Sequence, residues 1–149
     1  MNEKKSTDLN ILVVDDEEDI RMTLKDVLTL PGYNVWTASG GLEAINMMKD
    51  ICFSIVITDI RMPKMGGLEI TQKFKEINSD TTVIAITGQA SIQSALALLE
   101  EGAYDYITKP FNINEVRIIV KRAAERYRLL NGNYSGTSSQ RDERYCLSV

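Results

Sequence analysis

Four short segments carry residues whose chemistry folding alone explains poorly. The apolar run Ile11–Val14 ends in five consecutive acids, Asp15 to Asp19. Phe53–Thr58 ends in Asp59, Thr82–Ile86 in Thr87-Gly88, and Tyr104–Thr108 in Lys109-Pro110. Acids in the first turn of a helix are ordinarily favoured by its dipole, which accounts for Glu17, Glu18 and Asp19. It accounts poorly for Asp15 and Asp16, which abut an apolar strand and lose water there. Taken alone, Asp59 reads as a turn or helix cap, and a Thr at a strand end is commonplace. Drawn together, three carboxylates repel, and close like charges push at least one pKa up. One divalent cation and the ammonium of Lys109 would balance them. The ligands on offer are all oxygen, and few carboxylates with waters and a phosphate oxygen is the pattern of magnesium. A carboxylate, a hard cation, a lysine and a hydroxyl together suit phosphoryl transfer, with an Asp as nucleophile.

The elements that must position these groups are legible from apolar patterning. Asn10–Val14, Asn34–Ala38, Phe53–Thr58, Thr82–Thr87 and Tyr104–Thr108 read as strands. Three of them are almost continuously apolar, as in a parallel sheet covered on both faces. Helices are expected near residues 17–30, 40–50, 66–78, 91–101 and 112–130. Ile20, Leu24, Val27 and Leu28 share one face of the first, and Val116, Ile119, Val120, Ala123, Tyr127 and Leu130 share one face of the last. Pro31-Gly32 stops the first helix, Gly66-Gly67 opens the third, and Gly102 caps the fourth. Five strand–helix alternations predict an open, doubly wound α/β sheet with right-handed crossovers. Such sheets place their sites at the carboxyl ends of the strands, where the acids, Thr87 and Lys109 fall.

Composition narrows the field. The 149 residues are 44% hydrophobic and 26% charged, which suits one globular domain. A net charge of −4 argues against direct nucleic-acid binding. With no histidine, the chain can build no His-containing zinc site, histidine base or phosphohistidine donor. The opening MNEKKSTD has no apolar core for a signal peptide, and no apolar run approaches the ~20 residues of a membrane span. Cys52 and Cys146 read as free thiols, fitting a reducing cytoplasm. Residues 1–8 read as a polar tail, 9–130 as the domain, and 131–149 as a flexible tail or the start of a linker.

The runs LVVDDEEDIR, IVITDIRMPKMGGLE, VIAITG and EGAYDYITKPF, in that order, resemble the receiver domain of two-component response regulators. AYDYITKPF and the long last helix resemble the receivers of nitrogen-regulation-type activators. The resemblance implies a flavodoxin-like (βα)5 fold with strand order 2-1-3-4-5. It implies a phosphorylation-dependent switch in the cytoplasm rather than an enzyme: the chain would catalyse only its own phosphotransfer and autodephosphorylation. Asp59 would accept the phosphoryl group from a partner histidine kinase. Asp16, Asp59 and the Arg61 carbonyl would hold Mg2+ directly, Asp15 mainly through water. Lys109 would pair with Asp59 and then with the phosphoryl group, Thr87 would donate to a phosphoryl oxygen, and Tyr106 would turn inward behind it. Lys109-Pro110 would be joined by a cis peptide. Output would pass through the surface of helix four, strand five and helix five, to a partner or to a second copy in a homodimer, and Leu98 on the flank of helix four suits such a surface.

Three other readings fit less well. A phosphatase of the haloacid dehalogenase type needs an acid two residues after its nucleophile, where Arg61 stands. A flavodoxin-like redox module needs a hydroxyl- and glycine-rich phosphate loop after strand one, where five acids stand. A non-phosphorylated pseudo-receiver ordinarily lacks one of the key Asp or Lys residues, and all are present.

Overall fold

The structure is a computed structural model and describes residues 9–61, 67–88 and 92–131. Five parallel strands form one sheet: β1 (Asn10–Val14), β2 (Asn34–Ala38), β3 (Ile55–Asp59), β4 (Thr82–Thr87) and β5 (Asp105–Thr108). Between and after them run α1 (Glu18–Thr29), α2 (Gly41–Met48), α3 (Gly67–Ile77), α4 (Ile92–Glu100) and α5 (Ile113–Leu130). The strand order is β2-β1-β3-β4-β5, as the resemblance implies.

Alternation along the strands divides the core in two. Ile11, Val13, Ile55, Ile57, Ile84 and Ile86 pack with Leu24 and Leu28 of α1 and with Val116, Val120 and Ala123 of α5. Leu12, Val14, Val56, Val83 and Ala85 meet Ala44 and Met48 of α2 and Ile70 and Phe74 of α3 on the other face. Because both faces are dry, β1, β3 and β4 carry apolar residues at successive positions rather than every second one. Two glycines sit in the left-handed region where other residues strain: Gly32 after α1 (φ 107°) and Gly102 after α4 (φ 116°). Each amide returns to its helix, Gly32 to the Thr29 carbonyl at 3.0 Å and Gly102 to the Leu99 carbonyl at 3.2 Å.

Several expectations need correction. β3 begins at Ile55 and takes in Asp59. Phe53 instead lies fully buried with its ring edge-on to Trp36, centroids 5.6 Å apart. The buried stripe of α5 gains Ala124 and ends at Tyr127, the last residue of the helix in the core; Leu130 is 63% exposed. On α4, the spacing that puts Ile92, Ala95, Leu96 and Leu99 on one face predicts a covered stripe, but Leu96 is half exposed. The position of Leu98's side chain lies outside what is described. Cys52 is disulfide-bonded, which overturns its reading as a free thiol; Cys146 lies outside the described residues. Among the described residues no helix is long and apolar enough to cross a membrane.

Truncating the fully buried ring in Phe74→Ala is expected to cost about 3–5 kcal/mol in urea unfolding. Leu30→Ala, on a side chain 79% exposed, is expected to stay within roughly 0.5 kcal/mol of the parent. Equal losses would show that the α3 face of the sheet is not the core described.

Candidate functional site

Sheet register brings the chemically unusual residues together. Val14 lies opposite Thr58 on one side and Ala38 on the other, so Asp15 and Asp59 emerge from neighbouring strands one step past that pair. Asp59 is itself level with Ile86, one residue before Thr87, and Thr87 is level with Thr108, one residue before Lys109. The ladder continues into the loops. The Asp15 amide donates to the Ala38 carbonyl at 3.1 Å, Ile60 to Ile86 at 3.1 Å, and Lys109 to Thr87 at 2.7 Å. Backbone pairing therefore holds these strand ends at sheet spacing, before any side chain acts.

Carboxylate oxygens of Asp15, Asp16 and Asp59 lie within 4.8 Å of one another. Asp15 and Asp59 are buried, and Asp16 is exposed. Lys109 Nζ bridges the buried pair, donating to Asp59 Oδ2 at 3.0 Å and standing 3.2 Å from Asp15 Oδ2. The second contact has ion-pair distance without hydrogen-bond alignment, so Asp15 Oδ2 is a buried oxygen with no hydrogen bond. Asp15 Oδ1 accepts from the Glu17 amide at 2.9 Å, and Asp59 Oδ1 from the Arg61 amide at 3.0 Å. A buried carboxylate oxygen answered only by the Lys109 charge, inside a cluster whose candidate ligands among the described residues are all carboxylates, fits a hard divalent cation.

The electrostatics are opposed. Burial, helped by the Asp59 charge, holds the Asp15 carboxyl up at about 6 despite lowering by the Glu17 amide and Lys109. Burial also pulls the Lys109 amine down, but its hydrogen bond to Asp59 and the charges of both aspartates outweigh this and raise it.

Four of the seven expected residues converge: Asp15, Asp16 and Asp59, with Lys109 across two of them; Arg61, expected through its carbonyl, meets Asp59 through its amide instead. Thr87 closes β4 beside them, fully buried, with its hydroxyl donating to the Gly88 carbonyl at 2.9 Å. Tyr106 stands apart from the acids, half-buried on β5 level with Ala85 and packed on the α2–α3 side of the core. The Lys109-Pro110 peptide is cis. Sequence reading missed Arg21, whose Nη1 donates to the Asp15 carbonyl at 2.7 Å. Its only signal was a basic residue one turn into a helix that follows a run of acids.

Comparison with known proteins agrees with this geometry. The family profile described as "Response regulator receiver domain" matches residues 11–121. The chain is 36% identical over 115 residues to the regulatory protein AtoC of Escherichia coli, covering 77% of this chain and 25% of AtoC. Thus it spans about a quarter of that relative's length. A crystal structure of a response regulator receiver domain protein from Clostridium thermocellum superposes with TM-score 0.78 at 35% identity, covering 82% of this chain and 98% of that one. The solution structure of the beryllofluoride-activated NtrC4 receiver domain dimer gives TM-score 0.75 at 36% identity, covering 79% and 98%.

A pH prediction follows from Asp15. Its carboxyl ionises near 3.8 when unfolded and about 6 when folded. Below the first value both states are protonated and no penalty exists. Through the window the folded chain keeps a proton that the unfolded chain has lost, so stability falls as pH rises, by up to about 3 kcal/mol. In EDTA, Asp15→Asn is expected to be more stable than the parent by roughly 1–3 kcal/mol at pH 7.5, with the gain vanishing below pH 4. Urea titrations across pH check this, and a less stable variant at pH 7.5 would show that pairing with Lys109 outweighs burial.

Proposed function

The chain belongs to the response regulator receiver family, and on that premise we propose that it is a phosphorylation-dependent signalling switch of the cytoplasm, with Asp59 as phosphoacceptor. The domain spans residues 9–130, and the observation that carries the reading is the Lys109 ammonium lodged between Asp59 and Asp15, where it answers the buried Asp15 Oδ2 with charge but no aligned hydrogen bond.

An Asp59 carboxylate oxygen attacks the phosphorus of a phosphohistidine on a partner kinase. The new O–P bond forms as the P–N bond breaks, and its electron pair stays on the imidazole nitrogen. Asp16, Asp59 and the Arg61 carbonyl would hold Mg2+, with Asp15 mainly through water, and a cation held there would supply neutralisation of charge on the transferring group. Lys109, already within 3.0 Å of Asp59, exchanges its carboxylate partner for a phosphoryl oxygen. The alternative of a dehalogenase-type phosphatase loses support because the position two residues on holds the exposed Arg61.

The phosphoryl group brings about −1.5 to −2 charges and three strong acceptors. Thr87 must surrender its bond to Gly88 to serve one of them, and Lys109 serves another from the next strand. Two loops are then drawn to one centre, and Tyr106 moves inward behind Thr87. Moving a population from 1:99 to 99:1 takes about 5.5 kcal/mol. Charge-assisted hydrogen bonds at ~1.5–3 kcal/mol each, with burial of the ring, are of that order. The output surface is α4, β5 and α5, where Leu96, Ile113 and Ile118 are exposed, and it serves pairing with a second copy or contact with an effector.

Acetyl phosphate with magnesium is expected to add one phosphoryl mass to the parent and none to Asp59→Asn; labelling of the variant to the parent's extent overturns the assignment. Lys109→Ala is expected to keep binding magnesium while losing the phosphorylation-induced change in Tyr106 surroundings, read by NMR. Lost metal binding in that variant would mean that the lysine has been given the wrong role.

A further inference from the structure

Asp16 is the exposed member of the acid cluster, and among the described residues its carboxylate makes no hydrogen bond or ion pair of its own. What aims it is the backbone. The carbonyl of Asp15 belongs to the rigid peptide unit that joins Asp15 to Asp16, so the tilt of that plane sets the direction in which the Asp16 side chain leaves. Asp15 is secured by its amide to Ala38 and by Oδ1 to the Glu17 amide. The far end of the peptide plane is gripped by Arg21, whose Nη1 lies 2.7 Å from the Asp15 oxygen. Arg21 is itself half-buried in the first turns of α1, where its amide donates to the Glu17 carbonyl at 3.2 Å. The guanidinium therefore ties the helix to the loop that carries two of the three acids.

We propose that Arg21 is a positioning residue for the cation site: it locks the Asp15–Asp16 peptide plane and thereby aims Asp16 at the ion without touching it. This rests on the reading that Asp15, Asp16 and Asp59 surround a divalent cation.

Charge and geometry make opposite demands here, which gives the proposal its test. A positive side chain near three carboxylates repels a cation, so charge alone predicts that removing Arg21 tightens magnesium binding. Loss of positioning predicts weaker binding, on the order of ten-fold, as for other groups that orient metal ligands from behind. Magnesium is titrated calorimetrically into the full 149-residue parent, Arg21→Ala, Arg21→Lys and Lys25→Ala, the last removing an exposed positive charge one turn along α1. Amide exchange at Glu17 is read on the same chains in EDTA.

The expected result is about ten-fold weaker magnesium binding and faster Glu17 exchange in Arg21→Ala. Arg21→Lys, which keeps charge and a donor, recovers much of both, and Lys25→Ala equals or exceeds the parent. With acetyl phosphate as donor, Arg21→Ala needs more magnesium for half-maximal labelling but reaches the parent's maximal rate. Parent-like or tighter magnesium binding in Arg21→Ala overturns the proposal. Should the alanine variant not fold, Arg21→Met, which keeps the aliphatic stem and loses the donors, decides by the same affinities. A parent that binds no magnesium overturns the cation site itself, a failure distinct from parent-like binding by the variants.

Discussion

Three carboxylates within 4.8 Å of one another are the constraint around which this molecule is arranged. Two unit charges at about 4 Å repel by roughly 4 kcal/mol at the effective dielectric of a protein near its surface. No flexible loop would hold them there. The sheet does, because hydrogen bonds past the end of β1, between β3 and β4, and between β4 and β5 fix the acid-bearing segments before any side-chain energy enters. The two dry faces hold the sheet in turn, with isoleucines on one side and a mixed aromatic and aliphatic layer on the other.

Relief of the repulsion is incomplete. Lys109 serves Asp59 with an aligned hydrogen bond but serves Asp15 only with charge. A site that leaves one buried acceptor unmet is costly for the fold and ready for a ligand, a common trade between stability and function. The same arrangement suits a switch. Lys109 and the Thr87 hydroxyl both hold modest partners at rest, a carboxylate and a neighbouring carbonyl, which a group of higher charge can outbid. Since they stand on adjacent strands, re-pairing them is a mechanical event as well as an electrostatic one.

The proposed output surface has a different character. Leu96 on α4 and Ile113 and Ile118 on α5 are exposed, and Tyr106 lies half-buried on the strand between those helices. A ring at that depth can travel either way without opening a large cavity. That makes it a suitable reporter of events at Thr87, two strand positions beyond its partner Ala85.

Most of the fold was legible along the chain, as were four converging site residues. β1 and β4 have the bounds their apolar runs predict, because parallel strands buried on both faces leave a nearly unbroken signal of that kind, and the edge strand β2 keeps its predicted bounds with only its last residue buried. Asp15, Asp59, Thr87 and Lys109 became candidates because an open α/β sheet gathers its strand ends, whereas by type alone Asp59 and Thr87 read as a cap and a commonplace strand terminus. Tertiary structure alone decided how far each helical stripe is covered. Leu130 and Leu96 keep the spacing of core residues yet face outward, because periodicity states which side of a helix is apolar and not whether anything lies against it. It also decided the grip of Arg21 on the Asp15 carbonyl and the bonded state of Cys52. A bond from a side chain to a backbone oxygen can be offered by any donor to any residue, so nothing in the order of amino-acid types encodes it; only the path of the chain brings the two atoms together.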